Sequence, residues 1–154
     1  MKLQLLAVGR LRRGPEKALV DDYLDRFAKT GRGLGLPPVQ LVELDAKGAG
    51  MAAEADLLDK ARVAGAVTVI LDERGAQLSS PAFADRLGGW RDRAADVAFV
   101  IGGADGLDPG LRDRANLAIS FGAMVWPHML VRVMLAEQLY RAASILAGGP
   151  YHRA

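Results

Sequence analysis

Five short apolar runs, each separated from the next by a stretch of helical periodicity, constrain this chain more than any other feature. They read LQLLAV at 3–8, VQLVEL at 39–44, VTVIL at 67–71, DVAFVI at 96–101 and NLAISF at 116–121. The third is apolar or β-branched at every position, the pattern of a strand covered on both faces. The segments between the runs are far too long for hairpin turns. Crossover connections, and hence parallel pairing with helices on both faces of a sheet, are the economical solution. One helix is expected from Pro15, with Ala18, Leu19, Tyr23, Leu24 and Phe27 on one stripe. Others are expected over 51–64, over 81–93 with Ser79 or Ser80 as cap, just after Asp108-Pro109, and over 127–147, where Gly148-Gly149-Pro150 ends the pattern. Breaker residues mark loops at 30–38 and 47–50. The expected fold is therefore a single-domain α/β structure over 1–154, with a mostly parallel sheet flanked by helices.

Composition removes several chemistries. With 0 Cys there is no thiol catalysis, thiolate metal site or disulfide, and 2 His are too few for a His-built metal centre. A formal net charge of +2 permits a nucleic-acid partner without demanding one. The start, MKLQLLAVGR, lacks the longer apolar core and cleavage site of a secretory leader. The most apolar region, 117–136, has a membrane span as its rival reading, but Ser120, Pro127, His128 and Arg132 interrupt it. A buried strand, a turn and a buried helix account for it better, and a cytoplasmic location with no membrane partner follows.

Ligands of open α/β sheets bind beyond the carboxyl ends of the strands. Three loops lie there: Asp72-Glu73-Arg74-Gly75, Gly102-Gly103-Ala104-Asp105-Gly106, and the stretch from Gly122 to His128. Together they would make a pocket lined largely by backbone, suited to an adenine edge; taken singly, each also reads as a tight turn. The first loop, Gly9-Arg10-Leu11-Arg12-Arg13-Gly14, does not match the dinucleotide fingerprint, and GxxxxGK[ST] is missing. Arg10, Arg12, Arg13 and Lys17 read either as phosphate contacts or as a solvated loop. Arg141 follows Glu137 by one helical turn, which a surface ion pair would explain. The helix from Pro127 is apolar nearly all round, as a central core helix or a helix covered by a second subunit would be. The end, Tyr151-His152-Arg153, is aromatic and basic where chains usually fray, as if it folds over a ligand.

In combination, MKLQLLAVG, Leu71-Asp72 with Gly75, FVIGGADGL at 99–107, PHMLVR at 127–132, AEQLYRA at 136–142 and the terminal PYHR resemble the RlmH family over essentially the whole chain. These are SPOUT-class enzymes that methylate N3 of a pseudouridine in bacterial 23S ribosomal RNA. The resemblance implies a trefoil knot near the carboxyl end, S-adenosylmethionine as cofactor, a homodimer whose sites are completed across subunits, and the assembled ribosome as substrate, with no DNA or metal involved. Cofactor contacts carry over to Leu71, Gly102, Phe121, Gly122, Ala123, Met124, Val125 and Trp126. Many relatives have Ser or Leu where Phe121-Gly122 stand, a change that main-chain binding tolerates. On this basis His152 is expected to take the N3 proton, Arg153 or Arg141 to stabilise charge on the ring carbonyls, and Tyr151 to stack on the base, while His128 shapes the cofactor loop. The alternatives are a non-catalytic RNA-binding or ribosome-assembly factor on the same fold, and a knotted methyltransferase acting on another RNA.

Overall fold

A computed structural model describes residues 1–45 and 50–153. The loop expected at 47–50 thus falls, apart from Gly50, outside the described residues, as does Ala154. The elements alternate as expected: β1 (Leu3–Val8), α1 (Pro15–Arg32), β2 (Val39–Leu44), α2 (Met51–Ala61), β3 (Val67–Ala76), α3 (Ser80–Asp92), β4 (Val97–Ile101), α4 (Pro109–Arg114), β5 (Leu117–Ile119) and α5 (His128–Leu146). The sheet runs β2-β1-β4-β3-β5, and every pair is parallel.

The apolar runs are explained by what covers the two faces. Leu3, Leu5, Ala7, Val69, Leu71, Val97, Phe99 and Ile101 point to one side, where they pack with Phe27 of α1, Phe83, Leu87 and Trp90 of α3, and Leu135 and Leu139 of α5. The alternate residues Leu6, Val8, Ile70, Ala98 and Val100 meet Ala55 and Leu58 of α2 and Leu111 of α4 on the other. Period-two alternation therefore distributes one continuous apolar strand between two cores.

Element ends depart from expectation where a side chain competes for the backbone. Helix α2 stops at Ala61 rather than 64, because the buried Gln4 amide takes over: its Nε2 donates to the Ala61 carbonyl at 3.0 Å, and its Oε1 accepts from Val63 N–H at 2.9 Å. Strand β5 begins after Asn116, whose Oδ1 accepts from Thr68 N–H at 2.8 Å. It ends before Ser120, whose hydroxyl bonds both N–H and C=O of Gly122. Helix α1 continues through Arg32, three residues into the expected loop.

Strand β3 outruns its apolar run. Leu71 and Ala76 both pair with Ile119, so 72–75 bulge out of the ladder instead of ending the strand. Gly75 makes this possible: a Cβ there would lie 2.6 Å from the Ala118 carbonyl carbon.

Arg132 of α5 is the most consequential side chain of the core, at 1% exposure. Its guanidinium donates to the Val8 carbonyl at 3.2 Å, the Gly9 carbonyl at 3.1 Å and Glu43 Oε2 at 2.7 Å. Glu43 Oε2 also accepts from Leu11 N–H at 2.7 Å. Burial lowers the Arg132 pKa against the pull of Glu43. Removing one partner of such a pair leaves a buried charge uncompensated. Glu43→Ala is therefore expected to destabilise the fold by about 3 kcal/mol or more, read as a lower urea midpoint with an unchanged slope.

Candidate active site

The three carboxyl-edge loops do converge. They enclose a cleft of about 670 Å³ whose walls include Leu71, Asp72, Ile101, Gly102, Gly103, Ile119, Phe121, Gly122, Met124, Val125, Trp126, Pro127 and His128. Its floor is made by the last apolar residues of β3, β4 and β5. The loop after β4 is folded by its own backbone: Gly103 and Gly106 form an isolated bridge, with Gly106 N–H donating to the Gly103 carbonyl at 3.0 Å. Gly106 has φ +82, and a Cβ on Gly102 would lie 2.8 Å from the Gly106 oxygen. Beyond β5 the chain leaves Met124 at 76%, Val125 at 79% and Trp126 at 42% exposure beside the cleft. Asp72 anchors the opposite lip, accepting from Arg74 N–H at 2.9 Å and facing Arg112 Nη1 at 3.5 Å. Apolar walls with main-chain polar groups between them suit a flat heteroaromatic ring and a thioether-like chain.

Of the eight residues expected to hold the cofactor, Leu71, Gly102, Phe121, Gly122, Met124, Val125 and Trp126 line this cleft, whereas Ala123 is exposed and does not. His128 lines it from the first turn of α5, as expected.

The carboxyl-terminal residues gather elsewhere. Arg141 donates through Nε to Glu137 Oε1 at 2.8 Å, and its Nη1 lies 3.2 Å from His152 Nδ1. Tyr151 donates its hydroxyl to the same Glu137 oxygen at 3.0 Å. The Arg141 guanidinium carbon sits 4.8 Å from the centre of the Tyr151 ring, and the Tyr140 ring centre is 4.6 Å away. Arg141, Tyr151 and His152 are thus brought together, with Glu137 as their common anchor. Arg153 is exposed and outside the cluster. Arg141 lies thirteen positions after His128 on the helix, about 20 Å along the axis. The cluster and the cleft therefore occupy different ends of one helix.

The family model described as "Predicted SPOUT methyltransferase" matches residues 1–152. The chain belongs to the SPOUT methyltransferase family. It is accordingly a methyltransferase, and S-adenosylmethionine is its methyl donor. It is 73% identical over 154 residues, 99% of each chain, to the "Ribosomal RNA large subunit methyltransferase H" of Cereibacter sphaeroides strain ATCC 17023. It is 70% identical, again over 99% of each chain, to the protein of that name from Paracoccus denitrificans strain Pd 1222. Among solved structures it is similar in fold to a probable methylase family protein from Haemophilus influenzae Rd KW20, with TM-score 0.57 and 10% identity, covering 99% of this chain and 70% of that one.

Within this SPOUT methyltransferase the cleft residues fit the donor. Gly102 and Gly103 keep one wall free of side chains, and Leu71, Ile101 and Ile119 supply an apolar floor. Arg132 and Glu43 were the buried polar pair that sequence reading missed, since neither spacing nor composition links positions so far apart. Arg10, Arg12 and Arg13 are exposed, with no ion pair among the described residues, while Lys17 is paired with Asp21 at 2.6 Å. No described helix is long and apolar enough to cross a membrane.

Burial, reinforced by Glu137, pushes the Tyr151 phenol up to about 12. A raised pKa in the folded state means that the contact's contribution is whole below the ordinary phenol value near 10 and is lost as pH rises towards 12. Ultraviolet titration should find one of the 3 tyrosines ionising late, near pH 12, and Tyr151→Phe should remove that step. Ionisation of Tyr151 near the ordinary value of 10 would contradict the docked tail.

Proposed function

We propose that this chain methylates N3 of a pseudouridine in 23S ribosomal RNA of the assembled ribosome, acting in the cytoplasm as a homodimer with S-adenosylmethionine as donor. The observation that carries the reading is end-to-end similarity, 63% to 74% identical over 99% of both chains, to relatives named as ribosomal RNA large subunit methyltransferases. Both the cleft and the tail cluster fall inside the matched length. The trefoil knot implied by the resemblance belongs to the same reading. Its support is the sheet order, with β5 outside β3, and the pairing of Leu71 and Ala76 with the single residue Ile119.

The donor supplies an electrophilic methyl on a sulfonium. Leu71, Gly102, Phe121, Gly122, Met124, Val125 and Trp126 hold it, with the walls excluding water. Transfer would form the N3–methyl bond and break the sulfur–methyl bond, the N3 proton passing to solvent water. Positioning carries most of the rate gain in such a displacement.

The tail cluster supplies the charge. A guanidinium only donates, so Arg141 beside His152 Nδ1 leaves that nitrogen as the acceptor and puts the ring proton on Nε2. In this arrangement the Nε2–H of His152 offers a hydrogen bond to a ring carbonyl. Arg141 and the exposed Arg153 stabilise negative charge on the deprotonated base. Tyr151 is covered by Arg141 and Tyr140, which suits anchoring the tail better than stacking on RNA.

Because cleft and tail lie apart on α5, a complete site draws its tail from a second copy. The apolar Met124, Val125, Trp126, Met129 and Leu130, all exposed, would be covered by that copy. Exposed Arg10, Arg12 and Arg13 meet phosphates.

Labelled methyl transfer to whole ribosomes, separate subunits and tRNA in parallel tests the substrate. Label should enter ribosomal pseudouridine at N3 and fall steeply with added salt, whereas label in tRNA alone overturns the reading. For the shared site, co-expressed Trp126→Ala and His152→Ala chains, each inactive alone, should regain about a quarter of wild-type activity through mixed dimers with one intact site. Mixtures that stay inactive would place the whole site in one chain.

A further inference from the structure

Ser120 is a buried polar residue, at 5% exposure, with no part in the chemistry above. Its backbone is fixed where β5 has just ended: the N–H donates to the carbonyl of Ala76, the last residue of β3, at 2.9 Å. From that anchored position the hydroxyl makes two bonds to one neighbour. It donates to the Gly122 carbonyl at 2.9 Å and accepts from the Gly122 N–H at 3.0 Å. The donor and the acceptor of Gly122 are thereby both occupied within the protein. Among the described residues, the backbone N–H groups of Phe121, Ala123, Met124, Val125 and Trp126 bond no protein group. Gly122 is the one pinned amide in a stretch of open main chain.

Gly122 is also where a pin matters most. Its φ of +118 lies where side chains are disfavoured, so glycine suits the position and brings its conformational freedom with it. Packing does not restrain it, since a Cβ there would meet nothing within 4 Å. The Ser120 hydroxyl supplies the restraint, and it does so from outside the cleft. Ser120 lines a second cavity, of about 360 Å³, together with Phe83, Met134 and Leu135. Phe121 and Gly122 line both that cavity and the cleft, whereas Ser120 does not line the cleft. The segment Phe121-Gly122 is therefore a thin wall with open space on both sides.

We infer that Ser120 is a positioning residue for the methyl donor: its hydroxyl, bonded to both main-chain groups of Gly122, holds the wall between the two cavities in its binding shape before the donor arrives. This inference rests on the reading that residues 121–126 hold the donor, and it assigns Ser120 no contact with it. Without the hydroxyl the turn must be ordered at the moment of binding, which weakens affinity.

The test uses the full-length protein, with amide hydrogen exchange in the absence of cofactor and calorimetry with S-adenosyl-L-methionine. In wild type, after correction for intrinsic rates, the Gly122 amide should exchange about tenfold more slowly than those of 123–126. Ser120→Ala should abolish that difference and weaken cofactor binding about fivefold, with the urea midpoint little changed. Ser120→Thr keeps the hydroxyl, and its added methyl group has the second cavity beside it. It should restore both readouts to within about twofold of wild type. Ser120→Val, of the same shape without the hydroxyl, should restore neither. Wild-type affinity in Ser120→Ala, or equal affinity in Ser120→Thr and Ser120→Val, overturns the inference. Should the variants fail to fold, exchange in wild type decides: a Gly122 amide no slower than those of 123–126 also overturns it. Failure of wild type itself to bind the cofactor would instead overturn the cofactor reading.

Discussion

The guanidinium of Arg132 holds this architecture in register. A cation at 1% exposure is tolerable only if the structure around it supplies acceptors, and here they come from the ends of two adjacent strands: Val8 of β1, Gly9 just after it, and Glu43 of β2. Glu43 in turn fixes the Leu11 amide as the chain leaves β1. A charge that cannot be left unpaired thus ties the first turns of α5 to the carboxyl edge of the sheet. The same helix start carries Pro127, His128 and Val131 into the cleft wall, so the anchor sets the site's geometry without touching a ligand.

The cleft itself follows a different rule, that of backbone proximity. Gly75 allows β3 to lie against β5, and Gly102 allows the loop after β4 to fold back on Gly106. At both places a single methyl group would collide with main-chain atoms rather than with an adjustable side chain. Recognition built from main-chain groups is tolerant of neighbouring side-chain identity, which accounts for a site whose specific-looking residues are mostly glycine and apolar.

Helix α5 carries two chemistries at two heights. Its start closes the cleft, and its later turns hold Glu137 and Arg141, which dock the tail. The rigidity that makes a helix a good ruler also prevents its own tail cluster from reaching its own cleft. Under the proposed function a second copy resolves this, and the exposed apolar side chains around Trp126 and Met129 are the face it would cover.

Much of this was legible in the residues. Strand positions, parallel pairing, the capping of α3 by Ser79 and of α4 by Asp108, and the three convergent loops all follow from local pattern, because propensity and periodicity act over a few residues. The motif resemblance named seven of the cleft residues that line it. What local pattern misread were places where a distant side chain intervened: Gln4 ending α2, Asn116 replacing a strand residue beside Thr68, and a strand β3 that continues through DERG as a bulge. Arg132 stood in the sequence only as an interruption of an apolar stretch, with nothing to link it to Glu43. Taken alone, then, the chain's order of residues determined which segments are strand or helix and where small residues gather. Only the folded state decided which charges are buried, which oxygen caps which amide, and how far the tail lies from the cleft, because those depend on contacts between positions tens of residues apart that no local periodicity records.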